Sequence, residues 1–406
     1  MQVVYERCCG IDVHKKMIVA CLKTGKEQEI RQYGTTTREL REMANWLQES
    51  NCQKAAMEST GNYWRPIYNV LEVLGLEVIV VNASHMKTVP GRKTDMKDAE
   101  WIADLLKHGL LKPSFIPDKE QRELRDVSRY RRSLIEERAR EINRLEKNLE
   151  NSNIKLSSVL VSVNGKTAKR LINGAIEETI NEDTIDEMVY GSAKKKISEL
   201  LIAMEGVMSP VHKKLVRAIL DHIDDMTMRI KEMDDIVKGE MLKYEEAIAE
   251  LDKIPGIAER SAQTIIAEIG TDMSRFPTAS HLASWCGLSP GNNESAGKRK
   301  SSKTCKGNKT LKSALIQCAQ AAVKKKETFF RAQYDKLVVR RGKNRAKVAV
   351  AHSMIISIWH MLKKNIPYVD LGCDYYNKFN TDKKISSYLK KLMELGWDPP
   401  VSVLVG

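Results

Sequence analysis

Apolar positions in the first part of the chain alternate between the spacing of strands and the spacing of helices. Val3–Val13 and Met17–Leu22 are short apolar runs joined by the polar turn His14-Lys15-Lys16, which predicts a β-hairpin, and Glu29–Thr35 adds a third strand. Leu40, Met43, Ala44 and Leu47 then fall at i, i+3, i+4 and i+7 behind the capping box Thr36-x-x-Glu39, the pattern of an amphipathic helix. A strand over Lys54–Glu58 comes next, followed by a helix with Trp64, Ile67, Tyr68, Leu71 and Leu74 on one stripe. A strand over Glu77–Val81 and a helix from near Thr94 to about His108, ended by Gly109, complete the region. Three leading strands followed by alternating helix and strand predict a ribonuclease-H-like α/β sheet over residues 1–117.

From 118 to 250 the period is helical. Ile135, Ile142, Leu149 and Leu156 recur every seven residues with Leu145 at the intervening position. Ile223, Ile230, Val237 and Tyr244 do the same with Met226 and Met233. Two long helices with such seams should form an antiparallel hairpin or mediate self-association, although Arg138 weakens the first seam. Between them, residues 160–208 read as an insertion of mixed polarity without a clear order. Residues 251–406 open with the turn Ile254-Pro255-Gly256-Ile257, pass through a Gly/Asn/Ser loop from Ser289 to Gly297, and continue as helices to about Lys364. A helix and tail over Tyr388–Gly406 close the chain. The expected architecture is thus multidomain α/β plus α: an α/β domain at 1–117, a helical coiled-coil region at 118–250, and a mainly helical domain at 251–406.

Charge changes the picture more than composition does. The net charge is +14, yet residues 1–110 carry 15 Lys+Arg against 14 Asp+Glu, whereas 296–347 carry 17 against 2. A basic run is often only a solvated face. Here it is interleaved with helical apolar spacing and Gly-rich loops, which favours nucleic acid as the partner. No stretch approaches the roughly 18 unbroken apolar residues of a membrane span, and MQVVYERCCGIDVHKK lacks the apolar core of a secretory signal. A cytoplasmic protein without a membrane partner is expected. The eight cysteines form no C-x-x-C pair and have no His at zinc spacing, so they are expected as reduced, mostly buried thiols.

Two constellations carry candidate chemistry. Asp12 closes the first strand and Glu58 a later one, at the carboxyl ends where ligands bind in open α/β sheets. Asp95 and Asp98 share one face of a helix, and that face continues as Ala99, Ile102 and Leu106. Each acid alone has an ordinary explanation as a turn or helix-start residue. Together they suggest a carboxylate cluster, whose hard oxygens select Mg²⁺ or Mn²⁺ for phosphodiester cleavage. His14 and His85 lie near by this reading but are not counted as ligands or bases.

In the second half, Ile254-Pro255-Gly256-Ile257-Ala258 matches a helix-hairpin-helix turn, whose amides near Gly256 would meet a DNA phosphate; an ordinary interhelical turn is equally compatible. Ser295 stands before Gly297-Lys298-Arg299-Lys300, groups that could stabilise charge developing at phosphorus. A serine in a polar loop is usually just loop.

Taken together, Gly10-Ile11-Asp12-Val13-His14-Lys15, Glu58-Ser59-Thr60-Gly61, Lys93-Thr94-Asp95-Met96-Lys97-Asp98-Ala99, Ile254-Pro255-Gly256-Ile257 and Ser295-Ala296-Gly297-Lys298 resemble the DEDD transposases of bacterial insertion sequences, the one-hundred-and-ten family, which includes Piv invertase relatives and bridge-RNA-guided recombinases. The resemblance covers nearly the whole chain. It implies a RuvC-like domain binding Mg²⁺ (or Mn²⁺) through Asp12, Glu58, Asp95 and Asp98, and coiled-coil helices that assemble dimers into a tetramer. It also implies a transposase domain whose Ser295 forms a covalent phosphoserine link to DNA at another subunit's acidic site. Donor and target DNA, and a noncoding bridge RNA that selects them, are the implied partners, with a nucleoid-associated location. The rivals are a Holliday-junction-resolvase-like endonuclease, which leaves 251–364 without a role, and a non-catalytic nucleic-acid scaffold, which predicts no dependence on divalent ions.

Overall fold

Five strands form a mixed sheet in the order β3-β2-β1-β4-β5. They are β1 (Arg7–Val13), β2 (Ile18–Thr24), β3 (Glu27–Tyr33), β4 (Lys54–Glu58) and β5 (Val78–Val81). The first three are antiparallel neighbours; β1–β4 and β4–β5 are parallel. This computed structural model describes residues 2–59, 61–82, 98–291, 293–295, 298–301, 303–378 and 381–397, with backbone alone for 293–295, 298–300, 377–378 and 381–384. The chain divides into two compact units, Met1–Pro117 and Asp118–Gly406, so the regions read as 118–250 and 251–406 lie in one unit.

Alternation along the strands sorts the side chains of the first unit into two layers. Cys9, Ile11 and Val13 of β1 and Ala55 and Met57 of β4 pack under α1 (Thr37–Glu49) and α2 (Trp64–Val73), with Leu40, Met43, Leu47, Ile67 and Leu71. Burial of each large side chain among these stabilises the fold by about 1.5–3 kcal/mol. Cys8 and Ala56 face the opposite way, against Ile102, Leu105 and Leu106 of α3 (Asp98–Lys107). The capping box forms at Thr36, which accepts the Glu39 amide while the Glu39 carboxylate takes the Gly34 amide at 2.8 Å.

The second unit is built on two long helices, α4 (Lys119–Asn151) and α9 (Pro210–Glu240). Asp118 caps the first and Ser209 the second, which also starts on Pro210. They run antiparallel: Arg131 meets Asp234, Arg138 meets Thr227 and His222 meets Glu141, so contacts that rise along one helix descend along the other.

The seam differs from the heptad expectation. On α4, Ser128, Arg131, Leu134, Glu141, Leu145 and Leu149 are buried while Ile135 and Ile142 are only half-buried, and the helix ends before Leu156. Polar side chains with partners occupy part of the inner stripe, which an apolar period cannot register. Tyr244 likewise falls beyond the end of α9.

Residues 160–208, which read as an insertion without clear order, fold into a helical cap. Helices α5 (Leu156–Val159), α6 (Lys166–Glu177), α7 (Ile185–Met188) and α8 (Ile197–Ala203) bury Leu156, Leu171, Ile172, Ile185 and Leu200 against Leu145, Leu149, Val216, Ile219 and Ile223. These helices are short, and their apolar residues are spread over tight turns, so no long period marks them.

The rest comprises α10 (Glu245–Asp252), α11 (Glu259–Ile269), α12 (Ala279–Trp285), the hairpin β6 (Asn293–Ser295) and β7 (Lys298–Ser301), α13 (Lys309–Ala322), α14 (Phe329–Arg341), α15 (Lys343–Lys364), α16 (Tyr375–Lys378) and α17 (Thr381–Glu394). Glu268, 1% exposed, ties α11 to α4: Arg129 grips its two oxygens at 2.7 and 2.8 Å, and Asn308 donates to it at 2.6 Å. Among the described residues no helix is long and apolar enough to cross a membrane.

Candidate active site

Gly10 sets the position of the acidic end of the first unit. A Cβ there would lie 2.2 Å from the Ala99 carbonyl oxygen and 2.3 Å from the Ala103 nitrogen, so only glycine lets α3 lie this close on β1. The other end of the helix is fixed by its Lys107 carbonyl, which accepts the Val4 amide at 2.8 Å. α3 therefore runs antiparallel to β1, and its first residue, Asp98, lies at the carboxyl end of that strand.

Asp12 is two residues beyond Gly10 and shares its face of the sheet. Glu58 is two residues beyond Ala56, which packs on the same layer as α3. The parallel register pairs Gly10 with Ala56 and Ile11 with Met57, so one further step sets Asp12 and Glu58 side by side at the ends of adjacent strands. Three of the four sequence-predicted acids thus occupy one end and one face of the sheet. Asp95 lies outside the described residues.

Asp12 is not solvated alone: its Oδ2 is 3.0 Å from His14 Nε2, and its side chain is 21% exposed. That contact was not expected from the sequence, where His14 is simply a turn residue. Among the described residues no three His, Cys, Asp or Glu side chains stand close enough to hold an ion. The donor set is nevertheless that of a hard divalent cation, carboxylate oxygens without a thiolate. Like charges so placed repel until a cation neutralises them.

The thiols nearby are not candidates for chemistry. Burial pushes Cys8 and Cys52 up to about 11 and holds Cys9 well above its ordinary value. They remain protonated and unreactive.

In the second unit, part of the stretch expected as a loop pairs as a short ribbon, with Ser295 opposite Lys298. Pro290 bridges Thr304 and the Gly291 amide bonds the Lys303 carbonyl at 3.0 Å, which extends the ribbon to its base. Strands this short and polar carry no alternation to read. The backbone sets Ser295 beside Lys298, with Arg299 and Lys300 following in β7; Gly297 lies outside the described residues. Gly256 has a positive φ of 88°, and a Cβ on it would meet the Cys318 oxygen at 2.3 Å and the Ala322 nitrogen at 2.5 Å. Its lack of a side chain lets the turn seat on α13.

A mixed sheet with Asp12 and Glu58 at the carboxyl ends of adjacent strands, followed by a helical unit that carries the chain's basic excess, fits the class of DNA-processing enzymes. Residues 9–154 match a family model described as a transposase of the DEDD type in IS110 elements, and residues 248–335 match the model of the transposase IS116/IS110/IS902 family. The transposase for insertion sequence element IS1111A of Coxiella burnetii (strain RSA 493 / Nine Mile phase I) is 25% identical over 377 residues, 89% of this chain and 87% of that protein. The protein y4qE of Sinorhizobium fredii (strain NBRC 101917 / NGR234) is 31% identical over 142 residues, 32% of this chain and 35% of its own length. The two models together span more than half of the chain, which belongs to the IS110 family of insertion-sequence transposases and is a DNA transposase.

Proposed function

We propose that this transposase cuts and rejoins DNA through an acidic site formed by Asp12, Glu58, Asp95 and Asp98 and a serine nucleophile, Ser295. The observation that carries this reading is the register that sets Asp12 beside Glu58 on the face where Gly10 admits the start of α3 with Asp98. The strand order, with three antiparallel strands leading and two parallel strands following, supports a RuvC-like, ribonuclease-H-like domain.

Mg²⁺ or Mn²⁺ held by the four acids would favour loss of the attacking hydroxyl's proton and stabilise the leaving oxygen. Ser295 Oγ loses its proton and forms a bond to phosphorus as one P–O bond of the DNA breaks, leaving a phosphoserine link and a free DNA hydroxyl. One phosphoester replaces another, so the reverse attack by a DNA hydroxyl rejoins strands without an external energy source. Lys298, Arg299, Lys300 and the Gly297 amide neutralise charge on the reacting phosphate, and the turn at Gly256 holds the DNA backbone. Donor and target DNA are selected by a bridge RNA, and Ser295 works at another subunit's acidic site in a tetramer of paired dimers, in the cytoplasm at the nucleoid.

Recombination of a plasmid-borne element in the presence of Mg²⁺ tests the reading. Asp12→Ala and Asp98→Ala are expected to eliminate strand transfer, by at least about a hundredfold. Ser295→Ala is expected to remove covalent protein–DNA adducts while DNA binding persists. Undiminished recombination by the serine variant would remove its role, and activity indifferent to chelation of divalent ions would remove the metal site.

A further inference from the structure

A cleft in the helical unit is lined by none of the residues assigned above. Helices α4, α11 and α13 enclose this cleft of about 160 Å³, lined by Ser128, Arg131, Arg132, Arg260, Ser261 and Thr264. That is several times the share of one water molecule, and Ile135 and Ala314 join the lining. Arg132 pairs with Glu136 at 2.8 Å while Arg131 and Arg260 share Asp234, so three guanidinium groups meet two carboxylates and one positive charge is left over.

Ser128, 3% exposed overall, lines the same cleft and adds a hydroxyl beside the guanidinium groups. Two of the arginines retain most of their five N–H groups: Arg131 uses Nη1 for Asp234 and Gln263, and Arg260 uses Nη2 for Asp234, whereas Arg132 already donates from all three nitrogens, to Glu136, Thr310 and Ser313. Burial and the nearby Arg260 lower the Arg131 pKa against the opposing pull of Asp234, so an anion in the cleft would relieve a crowded cationic pair.

We propose that this cleft binds one phosphodiester group of a nucleic-acid backbone, held by Arg260, Arg131 and Arg132 and by the Ser128 hydroxyl. The site rests on the nucleic-acid reading above and adds a phosphate contact at the opening of α11 to the one proposed at the Gly256 turn. Hydroxyls and forked guanidinium groups recognise phosphate oxygens without reading bases, so the contact is sequence-independent.

The test is salt-dependent binding of the full-length protein to a short DNA duplex of arbitrary sequence and, in parallel, to single-stranded RNA, between about 50 and 200 mM salt. Arg260→Gln is expected to reduce the slope of log affinity against log salt by about one on DNA, or slightly less on RNA. Ser128→Ala should weaken binding roughly tenfold with the slope retained, and Arg260→Lys should restore the slope. The polymer on which the variants act identifies the source of the phosphodiester. Thermal melting confirms that each variant folds. Wild-type slope and affinity in both Arg260→Gln and Ser128→Ala would overturn the site while leaving the transposase reading intact. A wild-type chain that binds neither polymer would overturn both. Competition by inorganic phosphate with unchanged polymer binding in the variants would assign the cleft to a small anion and overturn the polymer contact.

Discussion

Gly10 shows how one residue without a side chain can place a reactive centre. Its Cβ position is filled by the backbone of Ala99 and Ala103, so any larger residue must push α3 away from β1 and carry Asp98 with it. Gly10→Ala is therefore expected to lower stability by about 1–3 kcal/mol, measured by denaturant unfolding, and to reduce strand transfer more than stability alone requires. An unshifted midpoint would show that the helix has slack. Asp12 and Glu58 were legible in the sequence because strand alternation fixes which face each occupies once the strand ends are known. The partnership of Asp12 with His14 was not, since a turn side chain can take either direction. The need for glycine at 256 was likewise hidden, because its close neighbours, Cys318 and Ala322, are more than sixty residues away along the chain.

Elements differ in how openly their pairing is written. The order of strands and helices in residues 1–117 follows from period and turn chemistry, whereas the junction of α4 with α11 depends on charged residues that an apolar pattern ignores. Glu268 is enclosed with Arg125, Arg129 and Asn308 around it, and truncation would leave the buried Arg125 without a counter-charge. Glu268→Ala is expected to destabilise the second unit by roughly 3–5 kcal/mol, seen as a lower unfolding midpoint. A change of under about 1 kcal/mol would mean that water replaces the carboxylate.

Helix α15 gives this unit a pH dependence. Burial lowers the His352 pKa from its ordinary 6.5, so the folded state prefers the neutral ring. The resulting stability is present above about 6.5 and is lost as pH falls through the lowered value, because the unfolded chain takes up the proton first. His352→Gln should flatten the stability profile over that window; an unchanged slope would place its origin elsewhere.

At the scale of the molecule, charge and chemistry are divided between the two units. The first carries nearly balanced charge and the acidic strand ends, while 17 cations against 2 anions fall within residues 296–347. Part of that excess is tied up structurally, as where Arg331 meets Asp335 at 2.7 Å. At the turn between α14 and α15 it is not: Arg340, Arg341, Lys343 and Arg345 are exposed around Gly342 and have no ion-pair partner among the described residues. Cations that stabilise nothing within the chain are free to release counterions from a polyanion. Replacing all four with glutamine should therefore leave the melting temperature nearly unchanged while lowering the salt slope of DNA binding by up to about 3–4. Asp12→Asn should do the reverse, keeping full DNA affinity and losing strand transfer. If the glutamine variant binds DNA with the wild-type slope, the exposed turn is a solvated surface and the phosphate contacts must be sought among the remaining cations of 296–347.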